Sequence, residues 1–98
     1  MTIKADLRKD VRKPFVSTIK YSIMVMDTGE WRKLHKVGTS TDISEGGLGM
    51  VTDYPLKAGD ILTFDEEILI NSITVKTAIV KWSMAEGEES RVGLGFII

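Results

Sequence analysis

Apolar and polar residues alternate with a period of two along much of the chain, and this pattern predicts β-strands. The clearest case is the segment 16–26, in which Ile19, Tyr21, Ile23 and Val25 would share one face of a strand. The opposite face begins with polar residues and ends with two methionines. We therefore expect the end of this strand to be covered on both sides.

The remaining apolar segments are short and are separated by residues typical of turns. At 27–30 the sequence DTGE predicts a hairpin turn, because Gly29 can adopt a positive φ. The charged triplet at 65–67 is expected to leave the strand that precedes it. No segment predicts an amphipathic helix, so the pattern indicates an all-β fold, either a closed barrel or a small sandwich. Further strands are predicted at about 31–41, 48–52, 61–64, 73–84 and 91–98.

Length and composition limit the class of protein. With 98 residues, 43% of them hydrophobic, the chain is expected to form one globular domain, which we divide into a flexible basic hook at 1–13 and a β-barrel at 14–98. The chain has no cysteine, and no apolar run is long enough to span a bilayer, so we expect a cytoplasmic protein without membrane insertion.

The charge is unevenly distributed, although the net charge is only −1. Residues 1–13 carry five basic and two acidic side chains, whereas the rest of the chain carries eight basic and twelve acidic side chains. A short basic segment on an acidic body suits a small anionic ligand better than DNA or RNA, which usually bind a broad basic face.

Candidate catalytic groups are few. His35 is the only histidine, and no catalytic triad, metal-ligand cluster or phosphate-binding loop accompanies it. We therefore expect no enzyme activity, no metal and no cofactor.

A first candidate binding motif pairs two arginines. Arg8 and Arg12 are four residues apart and precede Pro14, which disfavours a helix at the residue before it. Two guanidinium groups on such a hook can reach one ligand from two directions, and arginine both pairs with phosphate and stacks on bases. On its own, this spacing is more typical of a solvated basic tail than of a binding site.

A second candidate motif lies where a predicted strand ends. Asp42, Ser44 and Gly47 form an Asp-x-Ser-x-x-Gly pattern. A carboxylate can accept the N–H donors of a guanine edge, a hydroxyl adds a second polar contact, and glycine permits close approach of a ligand. The same residues are also common in turns that bind no ligand.

Both motifs, in this order and at this separation, are typical of the PilZ family, which the chain resembles along nearly its whole length. The resemblance implies a small closed antiparallel β-barrel of six or seven strands. Many relatives continue into a helix after the final strand, whereas this sequence stops at Ile98, so we expect no substantial C-terminal helix. It also implies binding of the bacterial second messenger cyclic di-GMP. Further similar residues lie at 46–49, 56–60, 80–82 and 92–96.

The family's ligand contacts carry over to matching positions. By resemblance, Arg8 and Arg12 would contact guanine faces and phosphates. Asp42 and Ser44 would read a guanine edge, and Gly47 would allow the ligand to approach closely.

At three other positions the resemblance does not assign a definite ligand contact. Leu7 stands where some relatives have a further arginine that helps to hold two stacked ligands, so we expect one ligand per domain. Arg91 is a candidate for an additional contact, and Trp82 is interpreted as a core or barrel-rim residue rather than a stacking surface.

The resulting hypothesis is a receptor domain for second-messenger signalling. Cyclic di-GMP would order the mobile hook, and an unidentified protein partner would read the change. One alternative is a PilZ-type adaptor that acts by protein–protein interaction without nucleotide. A second is a small nucleic-acid-binding barrel, which would need a basic and aromatic face.

Overall fold

The computed structural model describes the backbone of residues 3–5 and all of residues 11–98. These residues contain strands and turns but no helix. The strands are β1 (Ile3–Ala5), β2 (Lys13–Pro14), β3 (Thr18–Asp27), β4 (Glu30–Ile43), β5 (Gly47–Thr52), β6 (Ile61–Ile70), β7 (Ile73–Glu86) and β8 (Glu89–Ile97).

Six of these strands close into a barrel. The order of hydrogen-bonded neighbours is β3-β4-β5-β8-β7-β6, and β6 pairs with β3 to complete the ring. Every pairing in the ring is antiparallel. The predicted all-β fold, a closed antiparallel barrel without a C-terminal helix, is confirmed. The two remaining strands lie outside the ring: β1 runs parallel to β6, and β2 pairs with β4.

Alternating side chains from the six strands fill the barrel. Tyr21 is fully buried, and its hydroxyl group is hydrogen-bonded to that of Thr52 at 2.7 Å. This bond satisfies the polar end of a large side chain inside an apolar interior. The other fully or almost fully buried hydrophobic residues include Ile19, Ile43, Leu48, Met50, Leu62, Ile68, Val75, Ala78, Val80, Val92 and Leu94.

The predicted hairpin turn is confirmed. Asp27 pairs with Glu30, and the two residues between them, Thr28 and Gly29, have φ values of 47° and 82°. Positive φ at both central positions matches the right-handed twist of the flanking strands.

The predicted excursion of residues 65–67 from the strand is wrong. The structure has one continuous strand, β6, with an irregular register against β7 between Thr63 and Ile68. Such a bulge absorbs extra residues while the strand continues. Ile68 and Ile70 consequently still face the core, and both are buried.

The expectation that the end of the 16–26 strand is covered on both sides is also wrong. Met24 and Met26 are 51% and 56% exposed. The reason is that β3 pairs with β6 only at residues 21–23. The ribbon formed by residues 24–36 of β3 and β4, here called the arm, therefore continues beyond the barrel, since β4 meets β5 only from Gly38 onwards.

Candidate functional site

The first part of the candidate site is an irregularity near the end of β4. The register between β4 and β5 shifts between Ser40 and Asp42, so Thr41 is an extra residue in β4. A bulge of this kind changes the direction of the side chains beside it. The hydroxyl group of Thr41 donates a hydrogen bond to the Oδ1 atom of Asp42 at 2.9 Å, which leaves Oδ2 for another partner.

The turn after β4 holds the second polar residue of the motif. The backbone N–H of Ser44 donates to the carbonyl oxygen of Gly47 at 2.9 Å and closes the turn. Ser44 is largely buried. The backbone of β5 lies so close to β8 that a Cβ at position 47 would overlap the carbonyl oxygen of Leu94. The glycine of the motif is therefore required for the approach of two strands.

Arg12 joins the two polar residues. Its Nε donates to Oδ2 of Asp42, and its Nη1 donates to Oγ of Ser44 at 3.1 Å. The short strand β2 brings Arg12 to this position, because Lys13 and Pro14 pair with Ile43 and Asp42. Thirty residues therefore separate the partners in sequence, whereas the fold brings them into contact.

The electrostatic effect of this contact is on Asp42. The hydrogen bond from Arg12 holds the pKa of the Asp42 carboxyl below its usual value. Partial burial opposes this shift, while the hydrogen bond from Thr41 and the positive charge of Arg91 favour it. Asp42 is thus held as a carboxylate that can accept hydrogen bonds at neutral pH.

Asp42, Ser44 and Arg12 lie at one side of an open cleft with a volume of about 750 Å³. This volume is within the usual range for small-molecule sites. The cleft is on the outside of the barrel, because the leucines between its glycines, Leu48 and Leu94, point into the core. Its lining residues are Arg12, Thr41, Asp42, Ser44, Gly46, Gly47, Gly49, Lys81, Trp82, Arg91, Val92, Gly93, Leu94 and Gly95.

Four glycines form the base of the cleft, here called the glycine floor. On neighbouring strands, Gly47 pairs with Gly95 and Gly49 pairs with Gly93. No side chain rises from these positions, which leaves room for the side chains of Asp42, Trp82 and Lys81 above Gly49, Gly93 and Gly95 respectively.

The opposite side of the cleft comes from β7. The register between β7 and β8 shifts between Val80 and Trp82, and Trp82 pairs with Gly93. Its indole ring lies so close that a Cβ at position 93 would overlap it. Lys81 similarly covers Gly95, where a Cβ would lie 2.5 Å from the lysine Cε.

Of the two positions expected for Trp82, in the core or at the barrel rim, the core is wrong. Trp82 is 47% exposed and lines the cleft. Regular alternation would place Trp82 on the same face as buried Val80. The bulge at residues 80–82 interrupts this alternation, so Trp82 lies on the outside of the barrel. Arg91 also lines the cleft, and its Nη1 atom lies 3.8 Å from Oε2 of Glu86.

The structure therefore brings together four of the five predicted site residues, Arg12, Asp42, Ser44 and Gly47. Arg8 and the first ten residues of the predicted hook, apart from the backbone of 3–5, lie outside the described residues. The sequence reasoning missed Lys81, because the bulge at residues 80–82 that directs it into the cleft leaves no signal in the local pattern.

The residues that the structure describes contain no group of three or more histidine, cysteine, aspartate or glutamate side chains that could hold a metal ion. Within the same residues, no helix has the length and apolar character needed to cross a bilayer.

Comparison of the chain with protein-family models, curated proteins and solved structures finds no match.

Proposed function

We propose that this protein is a cyclic di-GMP receptor of the PilZ type and that the cleft is its binding site. The observation that carries the proposal is the charge and shape of the cleft. It is lined by three cations, Arg12, Lys81 and Arg91, and one carboxylate, Asp42, around the glycine floor. A positive cleft on a chain with a net charge of −1 favours a small anionic ligand.

The lining supplies each kind of contact that this ligand needs. Its two phosphates require cations, and the arginines can bind phosphate in a bidentate manner. The N–H donors of a guanine edge require an acceptor, which is the Asp42 carboxylate with Ser44 beside it. A guanine face requires a flat partner, for which the exposed indole of Trp82 is suited.

Binding in this way requires Arg12 to change partners. Its guanidinium group donates to both Asp42 and Ser44, the two groups that would read the guanine edge. In the proposed mechanism, guanine takes over these acceptors and Arg12 turns to a phosphate or a guanine face. Arg8 would supply a second guanidinium group from the same hook.

The proposed protein is a cytoplasmic signalling component rather than an enzyme, and it uses no cofactor. Its ligand-bound surface would be read by a separate protein. The adaptor alternative, a PilZ-type domain that binds a partner without nucleotide, predicts instead that the cleft residues have no effect on any nucleotide affinity.

The test is isothermal titration of the purified protein with cyclic di-GMP. We expect saturable binding of about one ligand per chain. Arg12→Ala and Asp42→Asn should each weaken binding by about tenfold or more, as expected for hydrogen bonds to charged groups. Asp65→Asn is a matched control, because Asp65 is a partly exposed carboxylate outside the cleft lining.

Further ligands separate the competing functions. Cyclic di-AMP carries the same phosphates without the guanine edge, so it should bind much more weakly if Asp42 reads that edge. Absence of any heat with cyclic di-GMP, in protein shown to be folded, would reject the receptor and favour the adaptor. Tighter binding to single-stranded DNA or RNA than to cyclic di-GMP would favour the nucleic-acid-binding barrel.

A further inference from the structure

The outer face of the arm exposes three large apolar side chains. Met24, Met26 and Trp31 are 51%, 56% and 65% exposed. Met26 pairs directly with Trp31, and Met24 pairs with Lys33 two positions away, so side-chain alternation places all four on the same face. We call Met24, Met26 and Trp31 the arm face. A contiguous apolar patch of this kind is typical of an interaction surface.

A second groove opens beside the arm face. Its volume is about 390 Å³, and we call it the side groove. Its base includes Ser22, which is buried although it belongs to the outward-facing series of β3. The apolar lining residues are Ile23, Met24 and Ile61. Lys33 and Asp60 carry opposite charges. The complete lining is Ser22, Ile23, Met24, Lys33, Gly59, Asp60, Ile61 and Thr63.

The arm face and the side groove are continuous. Met24 belongs to both, and Lys33, at the edge of the groove, lies two residues from Trp31 on β4. A protruding indole and an apolar groove of suitable size therefore lie next to each other on one face of one molecule. This is the arrangement that an isologous two-fold interface requires, because each copy supplies both the protruding part and the recess.

We propose that this face forms a dimer of two copies of the chain, in which Trp31 of each copy enters the side groove of the other. Met24 and Ile61 form the apolar walls that would enclose the ring. The indole N–H needs a hydrogen-bond acceptor when it is buried, and Asp60 and Thr63 in the groove provide one. This inference does not depend on cyclic di-GMP binding, since no residue of the side groove lines the cleft.

Charge and area support a second copy as the occupant. The rim of the groove carries both Lys33 and Asp60, so a two-fold exchange can place the cation of one copy near the anion of the other. Burying the arm face and Ile61 from both copies would remove on the order of 1,000 Å² from solvent, the lower limit for a specific interface. The dimer should therefore be weak and concentration-dependent.

Analytical ultracentrifugation of the full chain tests the proposal. The weight-average mass should rise with concentration from 10.9 kDa towards twice that value. Trp31→Ala should raise the dissociation constant tenfold or more, as for a central aromatic contact. Trp82→Ala is the matched control, because it removes the other partly exposed tryptophan, which lies in the cleft, and it should leave the dissociation constant unchanged.

Cross-linking provides a second measurement, which detects a weak dimer because the covalent link traps it. The chain has no cysteine, so single substitutions give one thiol per copy. Met26→Cys, close to the proposed two-fold axis, should cross-link two copies with a short bifunctional reagent. Glu88→Cys, in the exposed turn between β7 and β8, should not.

Two outcomes would overturn the proposal. One is a monomer at every concentration up to several hundred micromolar, with no Met26→Cys cross-link. The other is a dimer that Trp31→Ala leaves intact. Circular dichroism of each variant should first show an unchanged fold, which is expected because the substituted side chains are exposed. Trp31-dependent binding of the monomer to anionic phosphatidylglycerol vesicles would assign the face to a lipid surface instead.

Discussion

The indole ring of Trp82 occupies the space in which a side chain at position 93 would lie, so Gly93 is a condition for the position of Trp82. The two residues pair across β7 and β8, and both line the cleft. The position of Trp82 at the side of the cleft consequently depends on Gly93 in the glycine floor. A substitution of Gly93 therefore tests the role of Trp82.

Gly93→Ala should damage the cleft more than the fold. The added methyl group would displace the indole of Trp82, a side chain that is 47% exposed and free to move outwards. If Trp82 stacks on guanine, the affinity for cyclic di-GMP should fall by roughly tenfold to a hundredfold, in line with about 1–3 kcal/mol for a base–aromatic contact. Titration calorimetry would measure the affinity for cyclic di-GMP, and tryptophan fluorescence would report the displacement of the Trp82 indole.

The control for this substitution is another glycine of the cleft. Gly46→Ala adds the same methyl group where no atom lies within 4 Å of it. We expect a much smaller change in affinity. Equal losses of affinity in the two variants would contradict the role assigned to Trp82.

The contact between Arg12 and Asp42 should make stability depend on pH only in acid. Because the pKa of Asp42 is lowered in the folded state, its contribution is complete above the ordinary value of 3.8. It is lost as the pH falls through the lower, folded-state value. Asp42→Asn should therefore reduce the free energy of unfolding at pH 7 by at most about 1 kcal/mol, since the pair is partly solvated.

Urea unfolding of both proteins between pH 2 and pH 8 would measure this effect. The difference between wild type and Asp42→Asn should be constant above about pH 5 and should narrow below pH 3.8. A difference that stayed constant down to pH 2 would mean that Arg12 does not hold the carboxylate.

Tyr21 should titrate only in strong alkali. Burial of its ring raises the pKa of its hydroxyl above 10.0, although the hydrogen bond with Thr52 opposes this shift. Stability linked to Tyr21 is complete below pH 10 and is lost as the pH rises through the folded-state value. Tyr21→Phe leaves Tyr54 as the only tyrosine, so absorbance at 295 nm can separate the two titrations.

The same variant tests the buried hydrogen bond. Tyr21→Phe should lower the free energy of unfolding by about 1 kcal/mol. A double-mutant cycle with Thr52→Val would isolate the contribution of the hydroxyl pair. Full additivity of the two substitutions would show that the 2.7 Å contact does not stabilise the fold.

The bulge in β6 predicts opposite outcomes for neighbouring residues. Ile68 is fully buried, and Ile68→Ala should cost about 2–5 kcal/mol of stability. Glu67 is exposed enough to form only a surface ion pair with Lys76 at 3.5 Å, so Glu67→Ala should cost less than about 1 kcal/mol. Thermal unfolding of both variants would measure the two losses of stability. Similar losses in Ile68→Ala and Glu67→Ala would mean that the register of β6 differs from the one described.

Much of the barrel could be predicted from the sequence because local periodicity and turn residues determine it. The alternation of Ile19, Tyr21 and Ile23 was enough to assign a core face, and Gly29 was enough to place a turn. Several short strands of even spacing indicated either a closed barrel or a small sandwich, and the choice of a closed barrel rested on the resemblance to the PilZ family.

The errors occurred where alternation is interrupted. Bulges at 63–68 and 80–82 change which side chains face the core, and no local pattern distinguishes a bulge from a loop or from uninterrupted alternation. The exposure of Met24 and Met26 depends on where β6 stops pairing with β3, which is a long-range property. The proximity of Trp82 to Asp42 likewise depends on the order of strands in the barrel.

Arg12 acts as a competitor tethered to its own binding site. Because Arg12 is part of the chain, its effective concentration at Asp42 and Ser44 does not change with the amount of protein. A ligand that uses these acceptors is bound with its intrinsic affinity multiplied by the fraction of molecules in which Arg12 has moved away. For a ligand without a phosphate, nothing binds the displaced arginine, so its affinity is lowered by this whole factor. The ion pair between Arg12 and Asp42 thus lowers the affinity for neutral ligands and favours anions.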